Sequence, residues 1–352
     1  MLGEAARSLL HERRMSEFGD FSAPSPQPEP EQAESGQPAL PESGRLAPSS
    51  GTPPAASEGA NQAARLRPWQ GWLGLFVGTG AFIAGGLLGA VIPTIALIAL
   101  DPSQGNQLLQ ASPAQQEELI EALLMQLPVL LGSMLGGHGA LLLVSLLCPL
   151  VFHRPIGPTL GLGRAHWGLF LLAPIGILAL GPTSDRLVRL MREYLPELSF
   201  GALESLDGVM QEHPLWLLWP FVALLAGIAE ELFFRGMLQR ALGNGSWAIL
   251  ASAIAFSCYH MDPHHIVGVL PLGLYLAWLA ARTGSTWVPI TAHVINNSMA
   301  LIATQFAAEA SDEAAPLWLI VAGWAVTFLA AAGVVWLTPP AAEAGVSGPS
   351  TI

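Results

Sequence analysis

The chain has 352 residues, of which 52% are hydrophobic and 11% charged, with a mean hydropathy of +0.48. Charged residues make up about a quarter of an ordinary soluble chain, so this composition excludes a soluble globule and indicates an all-α, polytopic membrane helix bundle. The formal net charge of -12, with no basic patch, excludes nucleic acid as a partner.

Residues 1–67 open the chain as an acidic, Pro-rich tail. The stretch from Ser22 to Ala60 is dominated by Pro, Ser, Glu, Gln, Ala and Gly. It cannot bury enough apolar surface to offset its ordering entropy, so a disordered tail is expected. A short amphipathic helix from Leu2 to Phe18 is its only candidate element. The N-terminus lacks the basic-then-apolar pattern of a signal peptide. The first membrane run is therefore expected to act as the insertion signal.

From Trp69 the chain alternates apolar runs and short polar links. About eight helices are expected, near 70–100, 125–152, 166–182, 215–240, 247–262, 265–282, 286–307 and 315–337, at roughly twenty residues per span. They form a bundle over 68–338, with the chemistry-bearing core near 215–307 and a short disordered tail at 339–352. Pro93 is placed to kink the long first run. Pro263 cannot continue a helix ladder, so the fifth and sixth helices are short and broken between Met261 and His265. Such breaks are tolerated at depth where they line a cavity. The polar segment from Ser184 to His213 is expected as an amphipathic helix lying on the membrane. Cys148 and Cys258 sit in apolar runs and read as small packing residues.

Arginine placement sets the orientation. Arg65, Arg67, Arg154, Arg164, Arg235, Arg240 and Arg282 fall on one side of an eight-span bundle. Acids such as Asp101, Glu117, Glu313 and Asp312 fall on the other. Both termini are therefore expected in the cytoplasm, with the bundle in a bacterial inner membrane.

Three clusters carry chemistry. Glu230 and Glu231 lie well inside an apolar run, where an ionisable residue marks a functional site. Glu231 and Arg235 are four apart on one helix face and are expected to form a structural ion pair. Glu230 is turned about 100° away and has no partner in its own helix. Phe256 and His260 share a face on the next helix, with Phe256 as a site wall. His293 and Asn297 share a face two helices later. Counted from the cytoplasmic ends, Glu230, His260 and His293 lie roughly 15, 20 and 10 Å deep, so one site is geometrically feasible. Two chemistries fit. Glu230, His260 and His293 hold a divalent metal such as zinc with a water in its open position. Alternatively, no metal is used: Glu230 is a general base aided by one histidine, and the other histidine with Asn297 stabilises an oxyanion. His264 and His265 follow the break and are placed at the interface, outside the site. His138, His153, His166 and His213 carry no spacing signal.

In order, Glu-Glu-x-x-x-Arg, Phe-x-x-x-His and His-x-x-x-Asn on successive apolar helices resemble the CAAX protease and bacteriocin-processing family of intramembrane proteases. That family includes type II CAAX prenyl endopeptidases and bacterial Abi proteins. The resemblance spans about residues 215–307. It implies an eight-helix bundle whose cavity opens toward the cytoplasm, with Glu230 as base or metal-site acid and His260 as its partner. It implies His293 and Asn297 near the scissile carbonyl, and Arg235 paired with Glu231. The implied partner is a membrane-associated peptide or protein, prenylated or otherwise membrane-delivered, within the lipid bilayer. Two further readings stand beside it: a non-catalytic scaffold or bacteriocin self-immunity protein of the same fold, and a proton- or cation-coupled transporter. The transporter would favour internal repeats with paired broken helices, and no convincing repeat is seen.

Overall fold

The computed structural model describes residues 65–195, 208–306 and 315–338. The expected tail helix from Leu2 to Phe18 and the Pro-rich stretch lie outside the described residues, as does the C-terminal tail after Thr338. All regular elements among the described residues are helices. They run α1 (Pro68–Leu100), α2 (Pro102–Gln110), α3 (Pro113–Leu124), α4 (Leu127–Val151), α5 (Ile156–Thr159), α6 (Leu169–Leu178) and α7 (Gly181–Tyr194). There follow α8 (Leu215–Leu242), α9 (Ser246–Cys258), α10 (Pro263–Thr283), α11 (Trp287–Phe306) and α12 (Leu317–Leu337).

Six membrane-length apolar helices occur among the described residues: α1, α4, the combined run Leu169–Tyr194, α8, α10 and α12. In this integral membrane bundle the expected count of eight spans is therefore not confirmed among the described residues. The 13-residue α9 reaches only about 20 Å at the helical rise. The 20-residue α11 is long enough, but Thr291, His293, Asn296, Asn297, Ser298, Thr304 and Gln305 make it too polar to qualify. Those polar residues supply much of the site described below.

The first long pair is held by backbone proximity. A Cβ built on Gly89 would collide with the Gly132 carbonyl, and one on Gly136 with the Gly85 carbonyl. Glycines four apart on α1 therefore meet glycines four apart on α4, the small-residue mode of packing that suits a bilayer. The outward side chains of α1, such as Phe76, Leu88 and Ile92, are exposed, as a lipid-facing surface requires. Cys148 packs against the core as expected. Cys258 instead lies exposed on α9.

The centre of the bundle is α8. Every residue from Glu231 to Gln239 is buried, and Phe233, Phe234 and Met237 pack with Leu141, Phe256 and Ile290. This helix widens into π-helical turns at Pro220–Leu225 and Leu232–Gln239. Such turns concentrate at functional sites. Two side chains cross from it to α10: Arg235 Nη2 donates to the Gly273 carbonyl at 3.0 Å, and Gln239 Nε2 donates to the Ala277 carbonyl at 2.8 Å.

The break before α10 forms as the proline predicts. Pro263 occupies the first turn, where its missing N–H costs nothing. Asp262 caps the helix by accepting from the backbone N–H of His264 and His265 at 2.9 and 3.1 Å. At the other end Gly284 adopts φ 67, the left-handed turn that lets a helix stop. The segment expected to lie on the membrane is helical over α7, which packs along α10 through Ser184 to the Gly268 carbonyl. Residues 196–207 of that segment lie outside the described residues.

Candidate active site

Glu231 has a fully buried side chain, and its Oε1 accepts from Arg235 Nη1 at 2.8 Å. The expected ion pair is present in the geometry. Burying a charge this deeply is tolerable only with partners of opposite charge and hydrogen bonds. Arg235 gains two more contacts: the Gly273 carbonyl and the face of Phe256, 4.3 Å from Cζ to the ring centre. The latter is a cation–π arrangement.

Glu231 does more than the sequence indicated. His293 Nδ1 lies 2.8 Å from the same Oε1. With a carboxylate on Nδ1, that nitrogen carries the hydrogen, and Nε2 is turned the other way. Nε2 of His293 then stands 3.9 Å from Glu230 Oε2, too far for a hydrogen bond. The structural acid thus also fixes the orientation of a site histidine.

Glu230 has no partner on its own helix, as expected, but it is not free. Nε2 of His138, on α4, lies 3.0 Å from Glu230 Oε1. The other ring nitrogen, Nδ1, lies 3.1 Å from the Met134 carbonyl. A carbonyl can only accept, so Nδ1 donates, and the bridge between Nε2 and Oε1 holds one proton. The sequence reading set His138 aside for want of spacing, because its partner is 92 residues away. One signal was available: an ionisable residue inside an apolar, glycine-rich helix is a functional candidate by default.

His260 follows the end of α9, and its Nδ1 donates to the Phe256 carbonyl at 3.3 Å. That bond leaves Nε2 as the lone-pair nitrogen of the neutral ring. Phe256 is the wall expected of it, with ring centres 5.2 Å from His260 and 5.5 Å from His293. Asn297 donates through Nδ2 to the Val222 carbonyl at 3.2 Å, which ties α11 to α8 and leaves its second amide hydrogen for other use.

Two cavities meet at Glu230. The first, about 350 Å³, is lined by Glu230, His260, His293 and Asn297, and beyond them by apolar residues such as Val269 and Leu276. The second, about 270 Å³, holds His138, Tyr259 and Asp262. Glu230, His260, His265 and Asn297 border both. His265 therefore belongs to the site, contrary to the sequence expectation, with its ring 4.6 Å from that of His260. The turn at Met261 folds the start of α10 back toward α9, which spacing alone does not reveal. His264 is buried, with Nε2 2.9 Å from the Leu195 carbonyl.

The donor types suit zinc, but their arrangement does not form a cage. Among the described residues no three His, Cys, Asp or Glu converge as metal ligands. The expected set of Glu230, His260 and His293 surrounds a shared space, with Glu230 bonded directly to His138.

Residues 212–299 match the family model described as Type II CAAX prenyl endopeptidase Rce1-like. Glu230, Glu231, Arg235, Phe256, His260, His293 and Asn297 all fall inside that match, whereas His138 falls outside it. Over 102 residues the chain is 34% identical to the Bacillus subtilis (strain 168) protein named "Putative membrane peptidase YdiL", covering 28% of this chain and 41% of that protein. The chain thus spans less than half the length of this relative. No solved structure matches the chain.

Proposed function

Starting from an Rce1-like domain at residues 212–299 of an integral membrane bundle, we propose that the chain is an intramembrane endopeptidase. The observation that carries this reading is the facing pair at the cavity junction: Glu230 Oε2 and His293 Nε2, 3.9 Å apart, each held from behind by a second side chain. An acid on one side and a ring nitrogen on the other suit attack of water on a carbonyl.

The step balances with residues of this chain alone. Glu230 takes a proton from water as the water oxygen bonds to the scissile carbonyl carbon. His260 Nε2 accepts a hydrogen bond from the water's other O–H, which stays on the attacking oxygen, and so aims the water's lone pair. The carbonyl electrons move to oxygen, and His293 and Asn297, the latter through its spare amide hydrogen, stabilise the oxyanion. Glu231 holds the His293 ring in place. Collapse breaks the C–N bond, and the leaving amine takes the proton back from Glu230.

The apolar remainder of the first cavity favours a membrane-delivered or prenylated CAAX-like peptide, cut near the cytoplasmic face of a bacterial inner membrane. Comparative proteomics of membrane peptides from cells carrying wild type or Glu230→Gln tests the activity. Cleavage products confined to wild-type cells are the expected result, and identical peptide sets refute it. Orientation has its own test. Single cysteines at Ser50 and Gly348 in a cysteine-free variant should resist an impermeant label applied to intact spheroplasts.

A further inference from the structure

We infer that His138 is a positioning residue for Glu230, holding Oε1 so that Oε2 alone is presented to the reacting water. The inference rests on the endopeptidase reading for its kinetic consequence, but the contact itself does not. Four observations combine. His138 Nε2 reaches Oε1 at 3.0 Å, while Oε2 is the oxygen facing His293. The ring cannot rotate freely, because Nδ1 is bound to the Met134 carbonyl at 3.1 Å and Phe82 packs edge-on at 5.5 Å. His138 borders the second cavity and not the first. Finally, α4 is locked against α1 by direct glycine contacts just before this residue, so the histidine projects from a fixed frame.

A carboxylate on a long, rotatable side chain offers either oxygen in several orientations. Catalysis needs one of them held near the attack line, and a displacement of about 1 Å can cost about 10²-fold in rate. An imidazole anchored at both nitrogens supplies that restraint. Because the first cavity does not contain His138, its removal should leave substrate binding nearly intact.

The test uses full-length protein in detergent and two readouts. The first is the Glu230 carboxyl signal, isolated as the infrared difference between each protein and its Glu230→Gln counterpart. His138→Leu should shift this band, whatever the protein's activity. The second is steady-state cleavage of an internally quenched farnesylated CAAX peptide. His138→Leu should lower kcat about 10²-fold with KM changed by less than about twofold. His138→Gln places an amide near the position of Nε2 and should recover about a tenth or more of kcat. An unmoved carboxyl band overturns the inference outright. So does a His138→Leu enzyme whose loss lies in KM, or a His138→Gln variant as slow as His138→Leu. If wild type cuts nothing while the band still shifts, the contact stands and the endopeptidase reading is what fails.

Discussion

Two seams of this bundle are built on opposite principles. Where α1 crosses α4, glycines bring backbones into direct contact, and no side-chain hydrogen bond is needed. Where α8 meets α4, α10 and α11, a polar chain runs from His138 to Glu230 and, across a 3.9 Å gap, to His293, Glu231 and Arg235. The first seam tolerates no added volume. The second tolerates no lost partner. On the endopeptidase reading, rigidity is thereby kept apart from chemistry: shape fixes the frame, and charge pairing fixes the groups proposed to react.

The largest effect should come from the reactive end of the polar seam. Glu230→Gln keeps size and hydrogen-bonding capacity but removes the base, and should cut kcat about 10²–10⁴-fold with melting temperature in detergent unchanged. Near-wild-type turnover by a folded Glu230→Gln protein would sink the mechanism.

Next comes the buried end of the same seam. Glu231→Gln or Arg235→Met each strands a charge in low dielectric and should cost about 3–5 kcal/mol of stability, read as thermal unfolding in detergent. The double replacement should cost less than the sum of the two, since neighbours in one network are not additive. Full additivity would separate the residues and dissolve the seam.

The glycine seam should respond to added volume rather than to a lost partner. Gly89→Leu should destabilise by about 1–3 kcal/mol or more through overpacking, while turnover per folded molecule persists. Gly80→Ala on the same helix has nothing within 4 Å of the added carbon and should be neutral or stabilising by up to about 1 kcal/mol. Equal effects at both positions would show that α1 and α4 do not cross at Gly89 and Gly132.

The smallest expected effect concerns metal. Because the donors do not converge as a ligand set, dialysis against a strong chelator should leave the rate unchanged. Loss of activity restored by zinc would require the polar seam to rearrange around an ion.

The parts of the site readable from the sequence are those that helical periodicity encodes. Glu231 with Arg235 and Phe256 with His260 each lie four residues apart, and each pair meets in space. Glu230 stood out because a carboxyl inside an apolar run is expensive to keep. His293 and Asn297 are both at the cavity, though Asn297 also serves as a strut to Val222. His138 and His265 were missed for different reasons. His138 meets Glu230 across two helices far apart in the chain, and local spacing holds no record of such a meeting. His265 follows a proline, and a break was read as an exit from the site rather than a fold back into it. The count of eight spans is not confirmed among the described residues, because α9 is short and α11 carries more polar side chains than a membrane-length apolar helix.

Arg235 and Gln239 are four residues apart on α8, and the carbonyls they reach, Gly273 and Ala277, are four apart on α10. Matched teeth of this kind act as a ratchet. A slip of a fraction of a turn breaks both bonds together and strands buried groups on each side. Only a whole-turn jump of about 5.4 Å could bring a new set of carbonyls into reach. The two helices should therefore travel as a single plate. On the endopeptidase reading, a gate that admits a peptide would have to swing along a different edge and leave Glu230 in place.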